Sequence, residues 1–264
     1  MILNKFSSVT LSGRFKTLSL QLIVLSLFSC NKTSNINANK SFVGLTHVAY
    51  DVGAINLTLN GKYLFLNPLS FGETTGYPGN PYDTTISQVC SMKIFLAQDS
   101  SANVTGNAAF RQGAHYSIFF FDTLDNNSVS LIILQDNPSF RTDTFTNYRF
   151  MNFSPGDTTW GLKLINNRKD NPYAADTVVI PAIAFVGHNN NPSNYPFQLI
   201  RSGNYSAFGF TGSQDPRSDT TNFVPLGDIQ IDSLVNYYIY LQGFYGVTDT
   251  LDPNRFQLKW TALN

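Results

Sequence analysis

INLTLNGKYLFL, residues 55–66, carries the decision about fold. Asn60-Gly61 supplies the two positive-φ positions of a type I′ turn, and the flanking arms alternate apolar with polar side chains. The segment predicts a β-hairpin in which residues 55–59 pair with residues 62–66. Outward from it the chain keeps the same character. Short β-branched and aromatic runs are divided by Gly, Pro, Asn and Asp. Two of them, HYSIFFFDT (115–123) and VSLIIL (129–134), read as strands joined by a tight turn. No stretch sustains a 3.6-residue period, so the expected class is all-β with little helix.

Two halves of this β-region echo each other. An aromatic strand at 116–121 leads to Asp122-Thr123-Leu124-Asp125-Asn126 and then to a strand ending at Leu134. A second aromatic strand at 237–247 leads to Asp249-Thr250-Leu251-Asp252-Pro253-Asn254 and a last strand at 256–260. The openings match more loosely: residues 46–50 precede a strand at 55–59, and residues 148–153 precede one at 162–165. The pattern points to a tandem duplication with its seam near 137–146, giving modules at 41–140 and 145–264. Strands this short, in modules of about 100 residues, favour two tandem immunoglobulin-like β-sandwiches.

Ser70-Phe71-Gly72-Glu73-Thr74-Thr75-Gly76-Tyr77 follows the hairpin, and Tyr148-Arg149-Phe150-Met151-Asn152-Phe153-Ser154-Pro155 opens the second half. Together they resemble the loop and strand signatures of the bacterial domain-of-unknown-function family 4397, over nearly all of residues 42–264. The resemblance implies tandem β-sandwich modules in secreted or lipid-anchored envelope proteins. It brings no catalytic residues with it. The second half lacks a Phe-Gly-Glu-Thr segment and departs from the pattern there.

The first thirty residues give an address. Lys5, Arg14 and Lys16 make a basic start without an acidic residue, LSLQLIVLSLF (18–28) is apolar, and Ser29-Cys30 follows. A basic segment, a short apolar core and a small residue describe a secretory signal peptide, here residues 1–29. The run falls short of the roughly 20 apolar residues of a spanning helix. Cys30 resembles the lipidated first residue of a bacterial lipoprotein, with Phe28 departing from the usual pattern. The expectation is attachment to the outer membrane through acyl chains on Cys30, or secretion if cleavage leaves that thiol free. Residues 31–40 (NKTSNINANK) are polar and aperiodic and read as a flexible tether.

Composition narrows the partners. Charged residues make up 13% of the chain, aromatics 14%, and the formal net charge is zero. No basic stripe is available for a phosphate backbone, so nucleic acid is an unfit partner. Without a polybasic segment, attachment rests on acyl chains, of which two or more hold stably. Cys90, the remaining cysteine of the mature chain, lies between apolar residues and reads as a small core filler.

Chemistry-bearing constellations are sparse. His47, His115 and His188 are far apart, and no zinc-ligand spacing, Gly-x-Ser-x-Gly elbow or phosphate-cradling loop occurs. Glu73 is the one glutamate, so a glycosidase pair would depend on aspartates, which sit mostly at turns. Its carboxylate reads as an acceptor for backbone N–H groups in the loop at 72–76, with ligand binding as the alternative. The Asp-Thr-Leu-Asp turns offer oxygens to Ca²⁺ but match no known loop spacing, and hairpin chemistry accounts for them. No catalytic residue, metal site or cofactor is expected.

Binding is the better prospect. Tyr77, Tyr82, Trp160, Tyr173 and Tyr195 stand in Gly-, Pro- or Asn-rich segments where a ring face could meet a glycan or protein ligand, unless they pack on neighbouring prolines. Asp is followed by Ser or Thr at nine positions. Seven of these resemble a bacterial O-glycosylation acceptor motif, at Thr84, Thr123, Thr158, Thr177, Thr220, Ser233 and Thr250. The plainer account is that Asp-Thr joins turns to strands. The functional expectation is a non-catalytic cell-surface binding or adhesive module. A structural subunit of an envelope complex is the alternative, and a hydrolase built on aspartates comes last.

Overall fold

The computed structural model describes residues 40–264 except 51, 76–82, 87, 100–102, 123–128, 137–143, 168–176, 189, 248–251, 253–254 and 264. The side chains of Asp83, Thr84, Ile86 and Asn103 are likewise outside the description. So are the signal peptide, Cys30 and the tether up to residue 39. Residues 39–264 form one compact unit.

The all-β expectation holds. Eight strands come first: β1 Lys40–His47, β2 Ile55–Leu59, β3 Lys62–Tyr63, β4 Asp83–Ile86, β5 Val89–Leu96, β6 Asn103–Ala109, β7 His115–Asp122 and β8 Val129–Asp136. Eight more follow: β9 Phe145–Phe153, β10 Trp160–Asn166, β11 Thr177–Ile183, β12 Gln198–Arg201, β13 Gly203–Thr211, β14 Val224–Ile231, β15 Asn236–Gln242 and β16 Gln257–Leu263. Helix among the described residues amounts to three 3₁₀ turns, Val186–His188, Pro192–Asn194 and Thr220–Asn222, and none is long enough to cross a membrane.

The strands form four sheets. Their orders are β3-β2-β5-β6 and β4-β1-β7-β8, then β12-β9-β15-β16 and β11-β10-β13-β14. Raising every label of the first pair by eight reproduces the second. In each pair the first strand runs parallel to the seventh, β1 with β7 and β9 with β15, and the remaining pairings are antiparallel.

Side-chain alternation sets the stacking order. On β7, Ile118 and Phe120 face a core shared with Ile55, Leu57 and Ile94 of the β3-β2-β5-β6 sheet. Phe119 and Phe121 point the other way, into a second core with Met151, Phe153, Tyr238 and Tyr240. On β15, Ile239 and Leu241 join Leu162, Leu164 and Tyr205 in a third. Successive residues of a strand face opposite sides of a sheet, so the four sheets stack as layers and the two middle ones are covered on both faces. That explains why β15 is buried along its whole length and β7 along six consecutive residues. Such strands read as continuous apolar runs rather than alternating ones.

The Asn-Gly hairpin forms with both turn residues at positive φ, Asn60 at 50° and Gly61 at 74°. Its second arm is shorter than expected: Leu59 pairs with Lys62 and Thr58 with Tyr63. Leu64 N still donates to Leu57 O (3.0 Å), and Leu69 exchanges both backbone bonds with Ile55 (2.9 and 2.8 Å), but residues 65–68 leave the sheet. The openings of the halves also start earlier than the pattern suggested, at Lys40 and Phe145. The first residues of β1 and β9 pair antiparallel with β4 and β12, and β1 also runs parallel with β7 from Phe42. Partners so far along the chain leave no mark on local alternation.

Candidate functional site

Two of the five aromatics expected to offer a ring face are core residues. Trp160 is 2% exposed and packs at 4.5 Å from the Phe256 ring and 4.9 Å from the Tyr245 ring. It begins a strand whose alternate residues, Leu162 and Leu164, face the same core. Tyr195 is 5% exposed, and burial pushes its hydroxyl up to about 12. The 3₁₀ turn before it, capped by Asn191 Oδ1 accepting from Ser193 N (3.1 Å), delivers the ring into the middle core despite its Pro- and Asn-rich neighbours. Tyr77, Tyr82 and Tyr173 lie outside the described residues. Of the hydroxyls after aspartates, Thr158 and Thr177 are exposed and Thr220 and Ser233 half-buried. Thr123, Thr250 and the Thr84 side chain are outside the description.

An open groove of about 700 Å³ lies along residues 64–70 and 73–75. Gly72, at φ +79°, turns the chain in a conformation that L side chains rarely adopt. Glu73 Oε2 then accepts from Ser70 N at 2.7 Å, closing the turn. The carboxylate thus accepts a backbone N–H, but from Ser70, which precedes the loop at 72–76 expected to supply the donors. Beyond it the segment is sewn to β1. His47 N donates to Glu73 O (3.0 Å), Gly72 N to His47 O (2.7 Å), and Leu45 N to Thr75 Oγ1 (2.9 Å). The Thr74 and Thr46 hydroxyls meet at 3.0 Å, and Thr74 also bonds the buried Tyr240 hydroxyl of β15. One wall of the groove is thus fixed to both middle sheets. The opposite wall is the excursion at 65–68, where Leu66 is 98% exposed.

The histidines serve structure. His47 Nδ1 accepts from Ala49 N (3.3 Å), which puts the proton on Nε2, 3.1 Å from Gly53 O. Burial holds its pKa below the ordinary 6.5, against smaller upward effects of the Gly53 and Val52 backbone and the Glu73 carboxylate. His115 stacks on Phe42 (4.5 Å, 10°), and burial lowers its pKa as well. His188 lies 3.6 Å from Asp157 and edge-on to the Phe185 ring at 5.9 Å. Cys90 is a buried thiol, with Asn60 Nδ2 3.5 Å from Sγ. Among the described residues no group of three His, Cys, Asp or Glu could hold a metal ion.

One buried charge cluster was not foreseen. Asp136, at the end of β8, accepts from Ser117 Oγ (2.7 Å) and from the Tyr238 hydroxyl. Arg149 of β9 lies 3.5 Å from the same carboxylate, donates to the Tyr238 hydroxyl (2.8 Å), and covers the Phe197 ring at 4.1 Å. The cluster bridges the two middle sheets and leaves no room for a substrate, so its role is to fix how those sheets pack. A charged residue embedded in each of two apolar strands, LIILQD and NYRFMN, is the sequence signal that could have found it.

No family model matches this chain, and no curated protein matches it.

Proposed function

We propose that this chain is a lipid-anchored envelope protein whose two β-sandwich modules arose by duplication and which acts as a non-catalytic binding or adhesive module. The observation that carries the binding part is the contrast within the groove. Its Glu73–Thr75 wall is tied by backbone and hydroxyl bonds to β1 and Tyr240, while the facing segment holds Leu66 at 98% exposure. Exposed anchors on a rigid scaffold are the usual form of a recognition loop. The ligand is a glycan or a protein at the bacterial surface. Affinity capture with the membrane-anchored protein, reading both glycans and proteins, tests this. The captured species should be lost with Leu66→Asp while the melting temperature stays put, and capture indifferent to that change overturns the site.

The anchor is the lipidated Cys30. Mass spectrometry of the mature N-terminus should show acyl mass there, and Cys30→Ala should release the protein from membranes. The domain-of-unknown-function family 4397 is the proposed relationship, resting on the segments at 70–77 and 148–155. Exposed Thr158 and Thr177 support a further proposal, glycan attachment at the Asp-Thr sites, because a transferase needs an accessible hydroxyl. Intact mass of protein from its native host should then exceed the sequence-plus-lipid value in repeated increments.

A further inference from the structure

We propose that the outer face of the β3-β2-β5-β6 sheet docks an acidic polysaccharide, at a second surface that goes beyond the groove of the binding reading above. Direct cross-strand pairing sets Tyr63, Thr58, Lys93 and Thr105 in one row. Their chain neighbours Leu57, Leu59, Met92 and Ile94 enter the core, so the row faces outward. The next row sets Asn56 beside Phe95. Tyr63 stands free at one edge with its ring 6.0 Å from Phe95, and Lys93 Nζ lies 5.3 Å over the Phe95 ring. Thr58, at 9% exposure, forms the floor between Tyr63 and Lys93. Adjacent strands are about 4.8 Å apart, so four of them give a platform about 14 Å across, the reach of a short oligosaccharide.

The chemistry suits sugars. Rings present flat faces for stacking, and threonine hydroxyls and an asparagine amide both donate and accept. Charge then selects among sugars. Lys93 is the ionic residue on the outward rows of these four strands, since Lys62 pairs with Leu59 on the opposite face, and Asp99 sits in the turn beyond β5. A cation with no acid in its rows complements a polymer that carries carboxylates. A membrane surface is a poorer fit, since the rows between the rings are hydroxyl and amide rather than apolar.

The test is affinity electrophoresis of the full chain through gels containing polygalacturonate, with dextran gels and phosphatidylglycerol vesicles in parallel. Polygalacturonate should retard the protein and lose its effect as salt rises. Lys93→Gln and Tyr63→Ala should each weaken retardation by about tenfold or more, with unchanged melting temperatures, and Leu66→Asp should leave it intact. Retardation by dextran alone, binding to vesicles instead, no retardation, or retardation indifferent to Lys93 and Tyr63 each overturns the proposal. If capture finds a ligand that depends on Leu66 while polygalacturonate fails, this inference falls and the binding reading stands. If neither finds a ligand, both fall.

Discussion

The two sheet pairs agree where they are buried and part company where they face water. Both place a tyrosine at the second position of a middle strand, and each hydroxyl accepts from the backbone N–H five residues upstream. Arg111 N donates to Tyr116 and Asp232 N to Tyr237, both at 3.0 Å, the arrangement of a tyrosine corner. The register of β1 on β7 and β9 on β15 makes His47 the counterpart of Asn152. Each side chain accepts from the N–H two residues on, at Ala49 and Ser154, and each reaches a distant carbonyl, at Gly53 and Ile183. The outer sheets differ. Lys163 on β10 is covered, donating to Ser218 O (2.7 Å) and lying 5.5 Å over the Phe223 ring. Among the described residues, Lys93 on β5 meets the Phe95 ring at 5.3 Å and has no carbonyl or carboxylate partner. Packing constraints hold the buried positions to one solution, and the outer faces are free to take on separate work.

The heaviest test of this contrast falls on the junction between the middle sheets. Removing one member of a buried ion pair strands the other charge and costs about 3–5 kcal/mol. Asp136→Ala and Arg149→Met should each lower unfolding free energy in urea by that amount. The double change Asp136→Leu with Arg149→Met should recover much of the loss, because an apolar pair needs no compensation. Single losses below about 1 kcal/mol, the range of surface pairs, would mean that the cluster does not hold the layers together.

Local chemistry was the readable part of this molecule. The Asn-Gly turn, the all-β class, the aromatic core strands and the acceptor role of Glu73 depend on residues within a few positions of one another. What escaped depends on separation in the chain. The start of β1 at Lys40 is set by Ile86, 46 positions on, and Asp136 meets Tyr238 across 102 positions. Trp160 and Tyr195 misled for a related reason. Their Gly-, Pro- and Asn-rich neighbours describe the turn leading to each ring, whereas its burial is decided by the sheet or core it then enters. The outward row of Tyr63, Thr58, Lys93 and Thr105 joins four strands and exists only after pairing.

The outer faces can be compared by one substitution in each. Lys163→Met keeps the stem but leaves the Ser218 carbonyl without its charged donor, so it should cost about 1.5–3 kcal/mol, the worth of a hydrogen bond to a charged group. Lys93→Met should stay within about 0.5 kcal/mol, as surface substitutions do. Equal costs in urea titrations would show that the two lysines are used alike.

The tyrosine corners sharpen the likeness instead. Tyr116→Phe and Tyr237→Phe each remove one acceptor from a partly buried backbone N–H, and each should cost about 1 kcal/mol. The informative outcome is parity between them. A loss confined to one corner would mark the two positions as unequal in the folded protein.

The gentlest probe is the exchange of His47 for its counterpart, His47→Asn. An asparagine can accept from Ala49 N and donate to Gly53 O as Asn152 does at its own position, so stability at pH 8 should change little. The difference should appear on acidification. His47 is buried with its pKa below the ordinary 6.5, so the unfolded chain takes up its proton first as pH falls. Stability that is complete above about 6.5 is therefore lost progressively between that value and the lower folded one, and the slope ends once both states are protonated. His115, also lowered by burial, contributes in the same direction and remains in the variant. Urea midpoints from about pH 8 down to 5, the span in which histidine titrates, should fall less steeply for His47→Asn than for the parent. Parallel curves would mean that His47 is not held neutral, and the likeness between the two buried positions would then be one of geometry without the same constraint on charge.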